Sequence, residues 1–396
     1  MRKFKTLFIL PSQVEKAVID LKSLKNEYLL ENNKPKKSLI YQSLELNMPL
    51  LPQVAMSFVR ILYQFWLQQG IPQRILDEVL RIDIHDQKAA KFGISSDRLA
   101  LLHVAVNKIT SDRVLSLRLG QYLGEKDLEL ESMICYSETL HQGLLAMSEH
   151  SRVISESGSF SFLLQDNGKY ALKFIAHDKV SFSSQQKDMV FSTLLSWIEK
   201  AYVGCNEAIY YHFDDDVASV NEYQTLLNCH LIAGDEVFIE IDADLLMINN
   251  RNKNLVLLEQ SIRKTKKIIA KRQQRLDLYT EVTKCITDSL LSGTAQQDVV
   301  AERLSISVRN LQRRLKEVGT SYQAILDDCR EALALKLIKN VELPLYEVSH
   351  LVGFTEPSAF YKAFRRWTGK RPGDYRQSVL ISTEELTVNE ASNVDV

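Results

Sequence analysis

Residues 294–376 read TAQQDVVAERLSISVRNLQRRLKEVGTSYQAILDDCREALALKLIKNVELPLYEVSHLVGFTEPSAFYKAFRRWTGKRPGDYR. This stretch contains two helix-turn-helix patterns in tandem. Each pattern joins a short amphipathic helix, a tight turn and a second helix whose outer face carries side chains that can hydrogen-bond to DNA. The stretch therefore predicts an all-α C-terminal domain with two tandem helix-turn-helix motifs.

The first pattern predicts helices over 297–304 and 308–318, separated by Ser305-Ile306-Ser307. Ser307 is the predicted N-cap of the second helix, and Gly319 is its predicted left-handed end. Leu311 and Leu315 lie four residues apart and predict the buried face of that helix. The remaining outer side chains are Arg309, Asn310, Gln312, Arg313 and Lys316.

Three of these outer residues have the chemistry of base recognition. Arginine can bond bidentately to guanine, and glutamine can bond in the same way to adenine. We therefore expect Arg309, Gln312 and Arg313 to contact base edges in the major groove. We expect Lys316 to contact a phosphate. Ser307 and Asn310, at the start of the helix, complete the predicted DNA-binding set.

The second pattern repeats this plan over 345–352 and 357–368, with Gly353 at the turn. Its predicted inward residues are Val348, Leu351, Val352, Phe354, Phe360, Phe364 and Trp367. The residues off that apolar face are Ser358, Lys362, Arg365 and Arg366, of which Ser358, Lys362 and Arg366 are the predicted DNA contacts. The two arginines could equally be ordinary solvated charges. A helix predicted over 322–339 would separate the two patterns by about one turn of DNA.

The second pattern also resembles a known signature. The run Phe360-x3-Phe364-x4-Gly369-x2-Pro372-x2-Tyr375-Arg376, after Val352-Gly353-Phe354, is similar to that of AraC/XylS-type transcription regulators. The resemblance covers 277–376. It implies base contacts at Arg309, Gln312 and Arg313, and at Ser358 and Lys362, where the family varies. It also implies an activator of transcription more often than a repressor.

Charge is distributed unevenly along the 396 residues, although the net charge is only −1. Residues 251–376 contain 24 Lys and Arg and 14 Asp and Glu, a net charge of +10. Residues 1–250 have a net charge of −7, and residues 377–396 have a net charge of −4. A basic C-terminal region on an acidic body indicates a polyanion as partner of the basic region. Residues 377–396 are expected to form a disordered acidic tail.

Residues 47–250 predict an α+β domain in which helices come first and strands second. The predicted helices lie at 54–69, 74–81, 97–107, 139–152 and 192–201, and a short one at 223–227. Alternating apolar residues around Asp166-Asn167-Gly168 predict a β-hairpin over 159–175. Further strands are predicted at 208–213 and 237–241.

Two segments of this region carry a second, looser resemblance. SLRLGQ at 116–121 and SETLHQGLLAMSEHSRVI at 137–154 are similar to the arabinose-binding-like sensor domain of one AraC subgroup. This resemblance implies a small-molecule effector that is amino-acid-like or fatty-acid-like. The sequence does not place the residues that would bind it.

No pattern in the chain is typical of an enzyme. Asp214-Asp215-Asp216 cannot direct three carboxylates at one ion from a regular element, and no further ligand pattern follows. The neighbouring His212 is more typical of a surface residue than of a catalytic pair. Because nucleophile elbows, phosphate-binding glycine loops and zinc motifs are missing from the sequence, no catalytic residue, metal site or cofactor is predicted.

Residues 251–276 are predicted to be a basic linker between the domains. From Ser261 to Arg275 there are seven Lys or Arg residues and no acid. The segment could be a basic helix that adds phosphate contacts, or a solvated joint that keeps the domains apart. A helix over 277–291 is predicted to be the first helix of the DNA-binding domain, 277–376. Residues 1–46 are left unassigned.

These patterns and the two resemblances together imply a ligand-responsive, sequence-specific transcription regulator. The expected partners are double-stranded DNA, a small-molecule effector and RNA polymerase, and a homodimer is left open. The apolar run at the N-terminus is too short for a signal peptide, and no run is long enough to span a membrane. The expected location is the bacterial cytoplasm, in association with the nucleoid. A repressor and an architectural DNA binder without ligand control are the alternatives.

Overall fold

The structure is a computed structural model that describes residues 52–80, 93–110, 112–178, 180, 182–214, 220–291, 295–318 and 320–378. These residues form two compact units, 52–273 and 274–378. The predictions for residues 1–46, for Gly319 and for the acidic tail beyond Ser378 lie outside the described residues. Of the three consecutive acids, only Asp214 is described.

The first unit begins with helices and one small sheet. Strand β1 (Gln53–Val54) pairs antiparallel with β2 (Ile94–Ser95). The helices are α1 (Met56–Gln68), α2 (Gln73–Leu80), α3 (Ser96–Thr110), α4 (Leu115–Gly124), α5 (Glu131–Tyr136) and α6 (Leu140–His150). Their apolar faces supply much of the core, in which Leu62, Phe65 and Ile75 are fully buried. Burial of these faces stabilises the folded helices relative to the unfolded chain, in which the same apolar side chains are exposed to water.

A five-stranded sheet follows, in the order β3-β4-β7-β5-β6. Its strands are β3 (Gly158–Leu164), β4 (Lys169–Ala176), β5 (Ile209–Asp214), β6 (His230–Gly234) and β7 (Phe238–Asp242). Only the β5–β6 pair is parallel. The predicted hairpin is confirmed, since β3 and β4 pair in antiparallel register on either side of Asp166-Asn167-Gly168. Strand β6 has no sequence prediction, because its short sequence, HLIAG, lacks a clear alternation.

Helix α7 (Ser184–Ala201) packs against α4 at close range. A Cβ atom on Gly120 would lie 2.6 Å from the Cβ of Ser192, and Gly124 approaches the next turn of α7 equally closely. Only glycine permits this approach. Helix α7 begins earlier than predicted, because Ser183 and Gln186 form a capping box at its start. Two short helices, α8 (Val220–Leu226) and α9 (Ala243–Leu246), complete this part of the unit.

One buried carboxyl group lies between α7 and the sheet. Asp188 is 1% exposed and accepts hydrogen bonds from the hydroxyls of Tyr211 and Tyr223, at 2.6 and 2.5 Å. Burial raises the pKa of Asp188 to about 6, and the two hydrogen bonds oppose this rise. The stability of the first unit therefore depends on the protonation of Asp188.

Helix α10 (Leu255–Leu291) is continuous over 37 residues and contributes to both units in turn. The helix predicted over 277–291 is therefore the second part of a longer helix, and most of the predicted linker is helical. Ile262, Ile268 and Ile269 are half-buried and pack on the core of the first unit. They are too few to predict a buried helix face, because exposed basic side chains separate them. Whether those side chains contact phosphates stays a prediction.

The regular structure that the second unit shows over its described residues is helical. After the end of α10 come α11 (Gln297–Arg303), α12 (Val308–Glu317), α13 (Tyr322–Leu337), α14 (Leu345–Leu351) and α15 (Pro357–Thr368). Helix α15 ends at Gly369, as predicted. Beyond it, the Arg376 guanidinium donates to the carbonyls of Ile338 and Leu343, at 2.9 and 2.8 Å, and so fixes the end of α13. None of the described helices is both long and apolar enough to cross a membrane.

Candidate nucleic-acid interface

The turn between α11 and α12 has the same hydrogen bonds as the turn between α14 and α15. In the first turn, the backbone N–H groups of Ser305 and Ile306 donate to carbonyls of α11 at 2.8 and 3.0 Å. In the second turn, those of Gly353 and Phe354 donate to carbonyls of α14 at 2.9 and 3.0 Å. Each donor of the second turn lies 48 residues after its counterpart. The chain therefore forms one kind of turn twice.

Both turns pass through left-handed backbone. Ser305 has a φ of 55°, the only positive φ outside glycine among the described residues, and Gly353 has a φ of 85°. Glycine adopts this conformation without strain, whereas another residue loses about 1–2 kcal/mol. Arg330 of α13 holds the second turn, since its guanidinium donates to the Gly353 carbonyl at 2.7 Å and lies 4.5 Å from the centre of the Phe354 ring.

Helices α12 and α15 correspond at a spacing of 49 residues. The buried residues of α12 and its C-cap are Leu311, Leu315 and Val318, and their counterparts Phe360, Phe364 and Trp367 are buried as well. The spacing exceeds that of the turns by one residue, because the connection before α15 is one residue longer than that before α12. Since the buried faces match, the outward faces of the two helices match too.

Each of the two helices carries an exposed stripe on the side away from its core. We define the α12 stripe as Arg309, Gln312, Arg313 and Lys316, and the α15 stripe as Ser358, Tyr361, Lys362 and Arg365. In both, the residues follow the spacing i, i+3, i+4 and i+7, which places them on one face of a helix. All eight are exposed. The fold therefore brings together most of the predicted DNA contacts, four on α12 and two on α15.

Two residues of the α12 stripe are held within the second unit. The Arg313 guanidinium donates to Asn310 Oδ1 at 3.0 Å and forms an ion pair with Glu317 at 2.7 Å. Gln312 donates to the side chain of Gln297 at 3.2 Å. These contacts are exposed and weak, about 0–1 kcal/mol each, so a stronger partner can displace them. Arg309 and Lys316, by contrast, make no side-chain hydrogen bond to any other described residue.

The two remaining predicted residues of this region lie at the start of α12, beside the stripe. Ser307 is the N-cap, as predicted, and its hydroxyl accepts a hydrogen bond from the backbone N–H of Asn310 at 3.2 Å. Asn310 is half-buried and holds Arg313. Both residues therefore have a structural role that orders the beginning of the helix, and their contact with DNA stays a prediction.

In the second half of the unit, one predicted DNA contact has a partner and one predicted inward residue is exposed. Arg366 lies beside the α15 stripe and forms an exposed ion pair with Asp327 of α13 at 3.0 Å, and its contact with DNA stays a prediction. Leu351 was predicted to face inward, which is wrong, because its side chain is 42% exposed. Its counterpart 48 residues earlier, Arg303, is exposed as well. The repeat therefore predicts an outward residue at this position.

One residue of the α15 stripe has no sequence prediction. Tyr361 is 39% exposed and stands where Gln312 stands on α12. It lies next to Phe360, with the two rings at 89°. Aligning α15 with α12 at the observed spacing of 49 residues would have predicted that Tyr361, like Gln312, is exposed. No cluster of three His, Cys, Asp or Glu side chains suitable for a metal ion occurs within the described ranges.

Comparisons with known proteins agree with this geometry. A family model described as a helix-turn-helix domain matches residues 300–378, which include both turns and both stripes. An ornithine utilization regulator of Pseudomonas aeruginosa is 50% identical over 78 residues, which are 20% of this chain and 23% of that protein. The HTH-type transcriptional regulator VqsM of the same species is 31% identical over 106 residues, or 27% of this chain and 30% of that protein.

A solved structure covers a longer part of the chain. The transcriptional regulator CdpR from Pseudomonas aeruginosa aligns with 81% of this chain and 97% of its own, at 20% identity and a TM-score of 0.39. The two curated relatives, in contrast, match over less than a third of their own length. Residues 300–378 of this chain are a helix-turn-helix domain of the AraC/XylS type.

Proposed function

We propose that this chain is a sequence-specific transcription regulator in which α12 and α15 each read one major-groove segment of the same DNA duplex. The observation that carries the proposal is the repeat. The same turn, the same buried positions and an exposed stripe of the same spacing occur twice in one unit. A helix presented in this way fits the major groove, and two of them about one helical turn apart can occupy successive grooves.

The two stripes differ in chemistry, and we expect them to differ in role. The α12 stripe holds two arginines and a glutamine, which suit bidentate contacts to guanine and adenine. The α15 stripe holds Ser358, Tyr361, Lys362 and Arg365, which suit single hydrogen bonds and phosphate contacts better. We therefore propose that α12 supplies most of the base discrimination. In this proposal α15 mainly supplies affinity and register.

Ligand control and the direction of regulation form the finer part of the proposal. The first unit, with its separate mixed fold, would bind a small-molecule effector and bias the DNA-binding unit. Such control requires that the effector bind one state of the protein more tightly than another. The family resemblance favours activation, with RNA polymerase as a partner, and a homodimer is compatible with it. A repressor would bind DNA in the same way, so transcription from a reporter distinguishes the two.

Two charge-matched variants test the role of the α12 stripe. Arg309 lies on the stripe, whereas Arg314 is exposed on the same helix about 140° away from it. DNA sites would first be selected from a random library with the purified chain. We expect Arg309→Ala to weaken binding to the selected site by about 1–3 kcal/mol and to change binding to random DNA much less. We expect Arg314→Ala to affect both DNAs alike, and weakly.

The same titrations distinguish the alternatives. Equal losses on selected and random DNA for Arg309→Ala would mean that Arg309 contacts only phosphates. Failure of the wild-type chain to enrich any sequence would favour an architectural binder. Equal behaviour of the two variants on the selected site would contradict the assignment of the stripe. Circular dichroism of both variants checks that the helices remain intact.

A further inference from the structure

The first unit contains a cavity of about 100 Å³ that the DNA interface does not use. It lies between the β3–β4 hairpin and helices α1, α3, α4 and α7. Most of its wall is apolar. The wall includes Phe58, Leu99, Met147, Phe160, Phe174 and Leu194. Phe174 contacts both Phe160 and Phe182, with ring centres 5.4 and 4.6 Å apart. These aromatic contacts give the cavity a fixed wall on the side of the hairpin.

The wall carries no ionisable group among its described residues. An ionised ligand would lose its hydration there without meeting an opposite charge, which is strongly unfavourable. The cavity therefore selects against amino acids and carboxylates in their charged forms. It favours a neutral molecule that is mostly hydrocarbon.

One polar group of the wall can donate a hydrogen bond to such a molecule. Trp197 is 3% exposed, and its buried indole N–H has no acceptor among the described residues. Removing a buried donor from water without a partner is unfavourable. A carbonyl or ether oxygen on a bound molecule would supply the acceptor.

The serine hydroxyls of the wall, by contrast, use their protons among themselves. Ser155 donates to Ser157, Ser157 and Ser96 share a hydrogen bond, and Ser96 donates to the carbonyl of Pro52, each at 2.7 Å. Since this chain of donors ends on a carbonyl, its oxygens can accept further hydrogen bonds but its protons are already used. The Trp197 N–H is therefore the buried donor of the described wall that lacks an acceptor, and it would orient a ligand.

The volume limits the size of the ligand. Benzene, with six non-hydrogen atoms, binds in a dry cavity of about 150 Å³ in another protein, so at the same ratio about 100 Å³ fits about four non-hydrogen atoms. We propose that this cavity binds a small neutral molecule of that size, with one oxygen that accepts a hydrogen bond from Trp197 Nε1. Compact ketones, lactones and esters belong to this class. Neither the sequence nor the comparisons assign a ligand site here.

The cavity also adjoins the segment that holds helix α10. Ser151 and Ile154 line the cavity, and the two residues between them, Arg152 and Val153, accept hydrogen bonds through their carbonyls from Arg272 of α10, at 2.7 and 2.8 Å. A ligand that orders residues 151–154 would thus strengthen the attachment of α10 within the first unit. That the ligand acts as the effector rests on the proposed function, whereas its binding does not.

The test uses the full-length chain with ¹⁵N-labelled tryptophan, and acetone as the probe. The chain has three tryptophans, Trp66, Trp197 and Trp367, so three indole N–H signals are expected. We expect acetone to shift the Trp197 signal saturably and to leave that of Trp367 in place. Isopropylammonium has the same four non-hydrogen atoms and a charge, and we expect it to cause no shift. A shift by both compounds, or only at another tryptophan, would overturn the proposal.

Two variants distinguish the contribution of the Trp197 hydrogen bond to binding from that of the cavity volume. Trp197→Phe keeps an aromatic wall without the N–H, and we expect its affinity for acetone, measured by ligand-observed saturation transfer, to fall at least about five-fold. Leu99→Phe fills the cavity and should abolish binding, with the Trp66 signal as the check of folding. Unchanged affinity in Trp197→Phe would refute the contact. Because the samples contain no DNA, failure here leaves the proposed function standing, and failure of DNA selection leaves the cavity standing.

Discussion

The two equivalent turns allow an exchange experiment on the backbone. Ser305 and Gly353 occupy the same position in the two turns, with φ values of 55° and 85°. Gly353→Ser should therefore destabilise the second turn, and Ser305→Gly should stabilise the first. If only the backbone conformation mattered, the two substitutions would change the free energy of unfolding by similar amounts and with opposite signs.

The expected magnitude follows from two opposing terms. A side chain in the left-handed region costs about 1–2 kcal/mol. Replacing glycine also restricts the unfolded chain, which offsets about 0.4–1 kcal/mol of that cost. The net change in the free energy of unfolding is about 1 kcal/mol, a loss for Gly353→Ser and a gain for Ser305→Gly. Gly353→Ser has an added cost, because a Cβ there would lie 2.8 Å from Leu290 Cδ2. We therefore expect its effect to be the larger of the two.

Backbone hydrogen exchange, resolved by mass spectrometry, measures the two halves separately. About 1 kcal/mol corresponds to about a five-fold change in exchange rate when local opening limits exchange. We expect the α15 amides to exchange at least about five-fold faster in Gly353→Ser, and the α12 amides to exchange up to about five-fold slower in Ser305→Gly. Two results would refute the assigned cost of the left-handed backbone. One is a change of less than two-fold in the α15 exchange rates of Gly353→Ser, and the other is faster exchange in α12 of Ser305→Gly.

Three further predictions concern charge. Glu317→Gln releases Arg313 from its ion pair, and we expect affinity for the selected DNA, measured by fluorescence anisotropy, to rise up to about five-fold; a weaker affinity would contradict this. Lys316→Ala should lower the slope of log affinity against log salt by about 0.9 on selected and random DNA alike, and a loss restricted to the selected site would show a base contact instead. The raised pKa of Asp188 means that the folded first unit holds a proton which the unfolded chain releases near pH 4, so the contribution of this group to stability should be full below that pH and fall by about 2–3 kcal/mol as the pH rises from about 4 through 6. Urea unfolding of Asp188→Asn should lack this fall, and an unchanged pH dependence would assign it to other groups.

The sequence predicts best those features that depend on neighbouring residues. The cap at Ser307, the buried pair Leu311 and Leu315, and the end of α15 at Gly369 all follow from local patterns, and the structure confirms them. The hairpin around Asp166-Asn167-Gly168 is confirmed for the same reason. In each case a cap, a turn or a helical period acts within a few residues.

Features that depend on distant contacts could not be predicted in this way. The left-handed backbone at Ser305 is set by the packing of α11 and α12, since serine itself does not favour it. The continuity of α10 depends on the first unit, which buries its few apolar residues. The partners of Arg366 and Arg313 depend on side-chain positions that the helical pattern leaves open. The cavity beside Trp197 draws its wall from elements far apart in the chain.

We propose that α12 and α15 read two successive major grooves from one face of the duplex. To test this, the affinity of the chain for its selected site is measured after five base pairs are inserted between the two blocks of that site, because half a turn of DNA moves one block to the opposite face. We predict that affinity falls to that of a site with a single block, and that inserting ten base pairs does not restore it fully. Unchanged affinity after the five-base-pair insertion would contradict the claim that both helices bind the same duplex together.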